Sequence, residues 1–305
     1  MRITVLGCGA MGSIYAGLLA SSGHDVSAVD TNEVHVHAIN EHGLRVSGAS
    51  GDRRVQISAF TELPEQPIDL LVIAVKGAHV ESAATMVKPL IDESTVLLTI
   101  QNGLGSADLV AQILGHDRLI VGVAQGFGAS LSAPGHAHHN DMKAIRMGSY
   151  AELDKDVVTD IASIWKAAGF DAEAVDDIVS MQWEKLICNV AYSALSALTG
   201  MTIGEVMDDP EIGPVSQNAA MEAWTIAKAR GINIMVDDPI QYVRDFAIRM
   251  PNAKPSVLID IEMGRRSEIG MINGAIPREA TKACTIAPIN ETLTSLVLAR
   301  EYQST

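Results

Sequence analysis

Ile3-Thr4-Val5-Leu6-Gly7-Cys8-Gly9-Ala10-Met11-Gly12 decides the fold. Four apolar or β-branched residues run into a Gly-x-Gly-x-x-Gly turn, and residues 11–22 continue with a helical pattern. In a strand, turn and helix of this kind each glycine has its own task. Gly7 makes the tight turn, Gly9 lets the backbone approach a pyrophosphate, and Gly12 lets the helix pack against the strand, with the phosphates received on the helix N-terminus. The glycines alone are weak evidence, and the context strengthens them. A second strand, residues 25–29, ends at Asp30, 18 residues beyond Gly12. A carboxylate there accepts hydrogen bonds from the ribose hydroxyls of NAD and repels the 2′-phosphate of NADP. The following Thr31-Asn32-Glu33 supply no Arg, so NAD is the expected cofactor.

Outward from this turn the first half alternates strand and helix. Residues 34–42 read as a helix, 70–75 as a buried strand, 79–91 as a helix, and 95–100 as another buried strand. Residues 104–114 are helical, 119–124 form a strand, and 126–148 loosen into a pattern suited to antiparallel strands. A helix over 156–168 and a strand over 171–175 close this half. Strands alternating with helices imply βαβ units and a parallel sheet covered on both faces, an α/β fold. After Asp176 the texture is helical: residues 178–198, 213–230, 240–249, 256–263 and 292–302, with Asp209-Pro210, Asp238-Pro239 and Lys254-Pro255 as helix starts. Two domains follow, 1–172 and 173–305, without a flexible linker.

Composition narrows the function classes. The 305 residues carry a formal net charge of −15, with 48% hydrophobic and 19% charged residues. A sizeable core can form, and a general nucleic-acid or anionic-membrane binder is disfavoured, because phosphate surfaces demand a basic footprint. Cys8, Cys188 and Cys284 form no paired motif, which reads as reduced thiols in a cytoplasmic protein. No signal-peptide pattern and no membrane-length apolar run are present in the sequence.

Two constellations in the second half bear on chemistry. Lys185, Asn189 and Ser193 recur at four-residue spacing through an otherwise apolar helix, so they share one face, with Ser196 beyond them. A cation there needs a partner or a cleft. A plain solvent face would bring Glu or Gln partners at every turn, which this one lacks. Ser256 and Asp260 share a face of a later helix ending near Gly264, and Glu268 lies beyond it, in a stretch that composition alone also allows to be a charged surface loop.

Together the motifs carry a resemblance. Gly7-x-Gly9-x-x-Gly12, Val75-Lys76, Gln101-Asn102-Gly103, Trp183-x-Lys185-x-x-x-Asn189, Pro255-Ser256-x-x-x-Asp260 and Gly264-Arg265-x-Ser267-Glu268-Ile269 with Ile272-Asn273-Gly274 resemble the ketopantoate reductase (2-dehydropantoate 2-reductase) family over nearly the whole chain. The resemblance implies a Rossmann-type doubly wound domain, an all-helical domain of the 6-phosphogluconate dehydrogenase C-terminal type, and a site between them. It implies hydride transfer from a nicotinamide to the ketone carbon of a branched 2-oxo acid, 2-dehydropantoate or a close analogue. Lys185 matches the catalytic lysine that protonates the forming alkoxide, and Glu268 the glutamate that helps hold substrate and cofactor. The cofactor-binding set is then Gly7, Cys8, Gly9, Ala10, Met11, Gly12, Asp30, Lys76, Asn102, Ala124 and Glu268. The substrate set is Asn102, Lys185, Asn189, Ser193 and Ser256, with Ser256 meeting the carboxylate. Family analogy also suggests a homodimer through the helical domain.

Two departures from the family pattern matter. NADPH-using members usually carry an Arg where this chain has Thr31, after Asp30, which again points to NAD. The family often has an Asn, which helps bind the substrate hydroxyl, where this chain has Ser193. A D-2-hydroxy-acid dehydrogenase or an imine or opine reductase on the same fold is therefore an alternative. A non-catalytic NAD-sensing module is another, although a sensor needs only the glycine turn and has no use for Lys185, Asn189, Ser256 and Glu268. His136, His138 and His139 read as a surface hairpin and no metal is expected, since adjacent residues rarely both face one ion. Cys188 reads as a small buried apolar residue with no base placed to activate it. Asp176-Asp177 and Asp208-Asp209 read as helix-start carboxylates.

Overall fold

The structure, a computed structural model, describes residues 1–126, 128–141 and 144–303. Residues 127, 142 and 143 of the stretch expected to hold antiparallel strands, and the last two residues of the expected second domain, lie outside it. The first part of the chain runs β1 (Arg2–Leu6), α1 (Ala10–Ser21), β2 (Asp25–Val29), α2 (Glu33–His42), β3 (Leu44–Gly48), β4 (Arg53–Val55), β5 (Ser58–Phe60), β6 (Leu70–Ile73), α3 (Val80–Val87), β7 (Val96–Thr99), α4 (Ser106–Leu114), β8 (Leu119–Gln125), β9 (Gly128–Ala133), β10 (His136–Asp141), β11 (Ala144–Ser149), α5 (Lys155–Ala167) and β12 (Asp171–Ala174). The second part runs α6 (Ile178–Thr199), α7 (Ile203–Asp208), α8 (Ile212–Ala229), α9 (Pro239–Arg249), α10 (Ser256–Glu262), a 3₁₀ turn (Ile269–Met271), α11 (Ala275–Lys282) and α12 (Pro288–Gln303).

The main sheet has the order β12-β11-β8-β7-β6-β1-β2-β5. From β5 to β8 every neighbouring pair is parallel, while β11 runs antiparallel to β8 and parallel to β12. All residues of β6 and β7 are buried, as apolar runs without alternation require in a sheet covered on both faces. From β1 the chain moves to β2 and β5 on one side, then returns to build β6, β7 and β8 on the other. The order therefore reverses beside β1, and the crevice past the carboxyl ends of β1 and β6 is the ligand-binding switch point of a doubly wound sheet.

A second sheet, β4-β3-β10-β9, was not foreseen in its β3 and β4 part. Its central contact joins β3 to β10 in parallel, with Val46 opposite Ala137. It explains why α1 is buried from Gly12 to Leu19 and carries no amphipathic stripe. Leu44, Val46 and Ala137 of the small sheet share one core with Ile14, Leu18, Ile3 and Val5, and a Cβ on Gly17 would fall 2.4 Å from Val46 Cγ2.

The chain forms two compact units, and their limits correct the expected boundary at 172–173. That boundary would cut β12, whose ladder with β11 makes it part of the sheet. The units instead divide after Ile178, and the four residues Asn102–Gly105 belong to the second unit although both their neighbours belong to the first. The second unit is all-helical about the apolar length of α6. Leu186, Ile187, Val190, Ala191, Ala194 and Ala197 are buried with Ala219 and Ala223 of α8, Val243 of α9 and Ile276 of α11. Buried and half-buried polar groups pin these helices. Asn273 Nδ2 donates to Val190 O (3.0 Å) and Asn290 Oδ1 (2.9 Å), and Glu222 accepts from the Ile289 and Asn290 backbone N–H groups at the start of α12. Among the described residues no helix is long and apolar enough to cross a membrane.

Candidate active site

In the first unit the glycine turn leaves β1 and is gripped from both sides. Gly7 and Cys8 donate their N–H groups to Val29 O at the end of β2 (2.8 and 3.1 Å), and Ala74 N–H donates to Leu6 O (2.8 Å). The strand expected over 70–75 therefore stops at Ile73. Its continuation wraps the turn so closely that a Cβ on Gly7, at φ +94°, would lie 2.5 Å from Val75 N. A Cβ on Gly12 would lie 2.0 Å from Gly7 O. Gly9 differs, because nothing lies within 4 Å of where its Cβ would be. It starts α1 without a side-chain cap, so the first N–H groups of the helix, on Ala10 and its neighbours, have no side-chain acceptor. An open glycine beneath an uncapped helix N-terminus fits a dinucleotide pyrophosphate.

Asp30, Lys76 and Ala124, also expected to bind cofactor, belong to the first unit, and Asn102 and Glu268 to the second. Asp30 follows β2, donates its N–H to Phe60 O (3.0 Å) and accepts from Asn32 N–H through Oδ1 (2.9 Å), while Asn32 caps α2. Lys76 is exposed and leads into a 3₁₀ turn. Ala124 lies apart from the glycine turn, at the carboxyl end of β8, three strands across the sheet from β1.

Behind the turn lies a network absent from the sequence reading. Gly135 N–H donates to Nδ1 of buried His35 (3.0 Å), so neutral His35 carries its proton on Nε2, which lies 3.1 Å from Ser13 Oγ. The Ser13 hydroxyl donates to the Cys8 carbonyl (3.0 Å), and Cys8 Sγ lies 3.4 Å from the same oxygen. Burial pushes the Cys8 thiol up to about 12, which makes it an inert apolar side chain, and burial also lowers His35. The only sequence signal for this network was a serine and a histidine turned inward on two neighbouring helices.

In the second unit, α6 presents Lys185. Its Nζ donates to Asn102 Oδ1 (2.7 Å), and Asn102 Nδ2 donates over 3.5 Å to Glu268 Oε2. Lys185 and Asn102 are half-buried and Glu268 is buried. Burial lowers the Lys185 ammonium to about 8, and the charge of Glu268 opposes that fall. Asn189 and Ser193 follow on the same helix, half-buried and buried, while Ser256 opens α10 and is exposed. Asp260 beside it is buried and held by Arg265 (3.0 Å). Asn102 is set by its loop. Leu104 N–H donates to Met271 O (2.9 Å), and a Cβ on Gly103, at φ +84°, would fall 1.9 Å from that same oxygen. The preceding residue faces the other way, for Gln101 Nε2 donates to Ile73 O (2.7 Å) and Val75 O (3.2 Å) in the first unit.

The histidines lie on the small sheet. His136 and His138 both approach Ser47 Oγ (2.8 and 3.1 Å) in the hairpin of β9 and β10, and no group of three metal-ligating side chains occurs among the described residues. Cys188 is buried, and Asp209 accepts from the Glu211 and Ile212 N–H groups at the start of α8.

A doubly wound sheet with an open glycine turn, and a helical unit holding a shielded lysine among polar groups, define a dinucleotide-dependent oxidoreductase. The family model for ketopantoate reductase PanE/ApbA matches residues 3–152, and that for the ketopantoate reductase PanE/ApbA C terminal matches residues 177–301. The chain belongs to the ketopantoate reductase family. It is 29% identical over 301 residues to the 2-dehydropantoate 2-reductase of Pyrococcus horikoshii, covering 99% of this chain and 98% of that one. The crystal structure of a PanE/ApbA family ketopantoate reductase from Ralstonia eutropha JMP134 superposes with a TM-score of 0.91 at 31% identity, covering 100% of this chain and 99% of that one. D-mandelate dehydrogenase, solved with NADH and anilino(oxo)acetate, shares the fold with a TM-score of 0.92 at 23% identity, covering 100% and 99% of the two chains.

Proposed function

We propose that the protein reduces a branched 2-oxo acid, 2-dehydropantoate or a close analogue, to the 2-hydroxy acid, with NADH as hydride donor and Lys185 as proton donor. The observation that carries this reading is the chain from Lys185 through Asn102 to Glu268. Gly7 to Gly12 would receive the pyrophosphate and Asp30 the adenosine ribose of a bound NADH, which would supply a hydride for the ketone carbon. As that carbon accepts two electrons, its oxygen becomes anionic, and Lys185 Nζ gives it a proton. An ammonium near 8 is charged at neutral pH yet releases its proton more readily than an ordinary lysine. Asn102 Oδ1 fixes the Nζ position, and Glu268 keeps Lys185 protonated against the effect of burial. Ser256 and Asn189 supply hydrogen bonds for the substrate carboxylate and side chain.

The test is a panel of 2-oxo acids, including 2-dehydropantoate and 2-oxoisovalerate, assayed with NADH and NADPH. The expected result is turnover of a branched 2-oxo acid with kcat/KM higher for NADH than for NADPH. Failure on every 2-oxo acid despite NADH binding would favour the non-catalytic sensor. Ser193 supports a second reading, a D-2-hydroxy-acid dehydrogenase or an imine or opine reductase on the same fold. Equal kcat/KM for 2-dehydropantoate and 2-oxoisovalerate would favour it, because a site built for the extra hydroxyl discriminates strongly against its absence.

A further inference from the structure

We propose that Arg278 is a positioning residue, whose guanidinium clamps the 102–105 strap onto the 270–274 segment and so sets the hydrogen bond from Lys185 to Asn102. The proposal rests on the reading of Lys185 as proton donor. Arg278 stands on α11, remote in sequence from both groups. Its Nη1 donates to Gly270 O (2.6 Å) and Gly274 O (2.8 Å), and its Nη2 to Leu104 O (3.3 Å). Three carbonyls from two segments thus converge on one planar fork, an arrangement a lysine ammonium cannot reproduce from a single point.

Each tie on the strap bears on where Asn102 sits. Leu104 is held on both its backbone polar groups, its N–H by Met271 O and its carbonyl by Arg278. Gly103 is pressed against Met271 O where no Cβ fits. At the other end, Gln101 is bound to the carbonyls of Ile73 and Val75. Asn102 therefore sits between two anchored neighbours, and the clamped segment continues directly from Glu268, its other partner. Freeing the Leu104 carbonyl lets the strap relax, and Asn102 moves with it. A misplacement of about 1 Å in such a group lowers turnover by as much as roughly 100-fold.

Arg278 could instead act through its charge alone, and the two roles predict opposite shifts at Lys185. Removing a nearby cation makes the Lys185 ammonium easier to keep and raises its titration midpoint. Removing the acceptor that holds the ammonium lowers the midpoint.

The experiment compares wild type, Arg278→Gln and Arg278→Lys. It measures kcat and KM for a 2-oxo acid, the NADH dissociation constant, and the Lys185 midpoint by NMR of ¹³C-labelled lysine, assigned with Lys185→Arg. Arg278 is exposed, and thermal melting checks that each variant folds; should the Gln variant fail to fold, the Lys variant decides. The proposal expects kcat to fall roughly 10- to 100-fold in both variants. It expects NADH affinity to stay within about twofold and the Lys185 midpoint to fall by about one pH unit, the worth of a charge-assisted hydrogen bond. A Lys variant with wild-type kcat, or a midpoint that is unchanged or raised, overturns it. If wild type turns over no 2-oxo acid, the functional reading fails, while the NMR midpoints still decide the role of Arg278.

Discussion

The proposed function rests its proton transfer on one nitrogen, Lys185 Nζ, whose proton is held less firmly than in solution. Burial lowers it from 10.5 to about 8. Between those values the unfolded chain binds more protons than the folded one, so folding stability rises with pH across that window as the native state sheds a buried charge. Urea unfolding of wild type and Lys185→Ala at pH 7 and pH 9 should show this rise in the wild type alone. Lys185→Ala should also lower kcat by about 10²- to 10⁴-fold, the usual contribution of a general acid, with the fold intact by circular dichroism. Gly103→Ala is a sharper test of the strap. Its Cβ would enter Met271 O at a φ that side chains rarely adopt, so kcat should fall at least about tenfold with NADH affinity little changed. At Asp30, the double change Asp30→Ser with Thr31→Arg should shift kcat/KM toward NADPH. A wild-type enzyme that already prefers NADPH would contradict the reading of that carboxylate. The lysine was legible in the sequence because a cation every reader can see interrupts an apolar helix. Its link to Asn102 was not, because 83 residues separate the two and only the folded loop joins them.

The glycine turn and α1 act as one element, held from behind by Ser13 and His35. Burial lowers the His35 pKa from 6.5, and a proton on its Nδ1 would also set an N–H against the Gly135 N–H. The unfolded chain therefore takes up this proton first as pH falls below 6.5, and the network loses stability in that direction. Ser13→Ala leaves the His35 Nε2–H without its acceptor, at roughly 1–3 kcal/mol. It should weaken NADH binding about tenfold, as read by nicotinamide fluorescence, and unchanged affinity would show that the network does not orient the turn. The turn was readable because three glycines at fixed offsets each answer a local steric demand. The small sheet was not, since its two sequential pairs, β3 with β4 and β9 with β10, are joined only where β3 meets its parallel partner β10 about ninety residues later. Short or interrupted helices also leave little periodic signal. α7 has six residues behind a Thr202–Glu205 capping box, and α11 carries Pro277, which reads as a breaker although it lies in the first turn.

At the scale of the whole molecule, the chain changes unit at Gln101–Asn102, returns at Gly105–Ser106, and leaves the first unit for good after Ile178. Alternating strands and a helical second half made both units legible, but nothing in composition marks a four-residue excursion that begins between Gln101, which answers to the sheet, and Asn102, which answers to the lysine. The central claim is that Lys185 delivers the proton. The pH dependence of kcat for 2-oxo acid reduction with NADH, in wild type and Lys185→Ala, tests it most directly. The expected wild-type profile falls as pH rises through about 8, where Lys185 loses its proton, and the residual rate of the variant lacks that limb. A wild-type rate level to pH 10, or the same limb retained in Lys185→Ala, would contradict it.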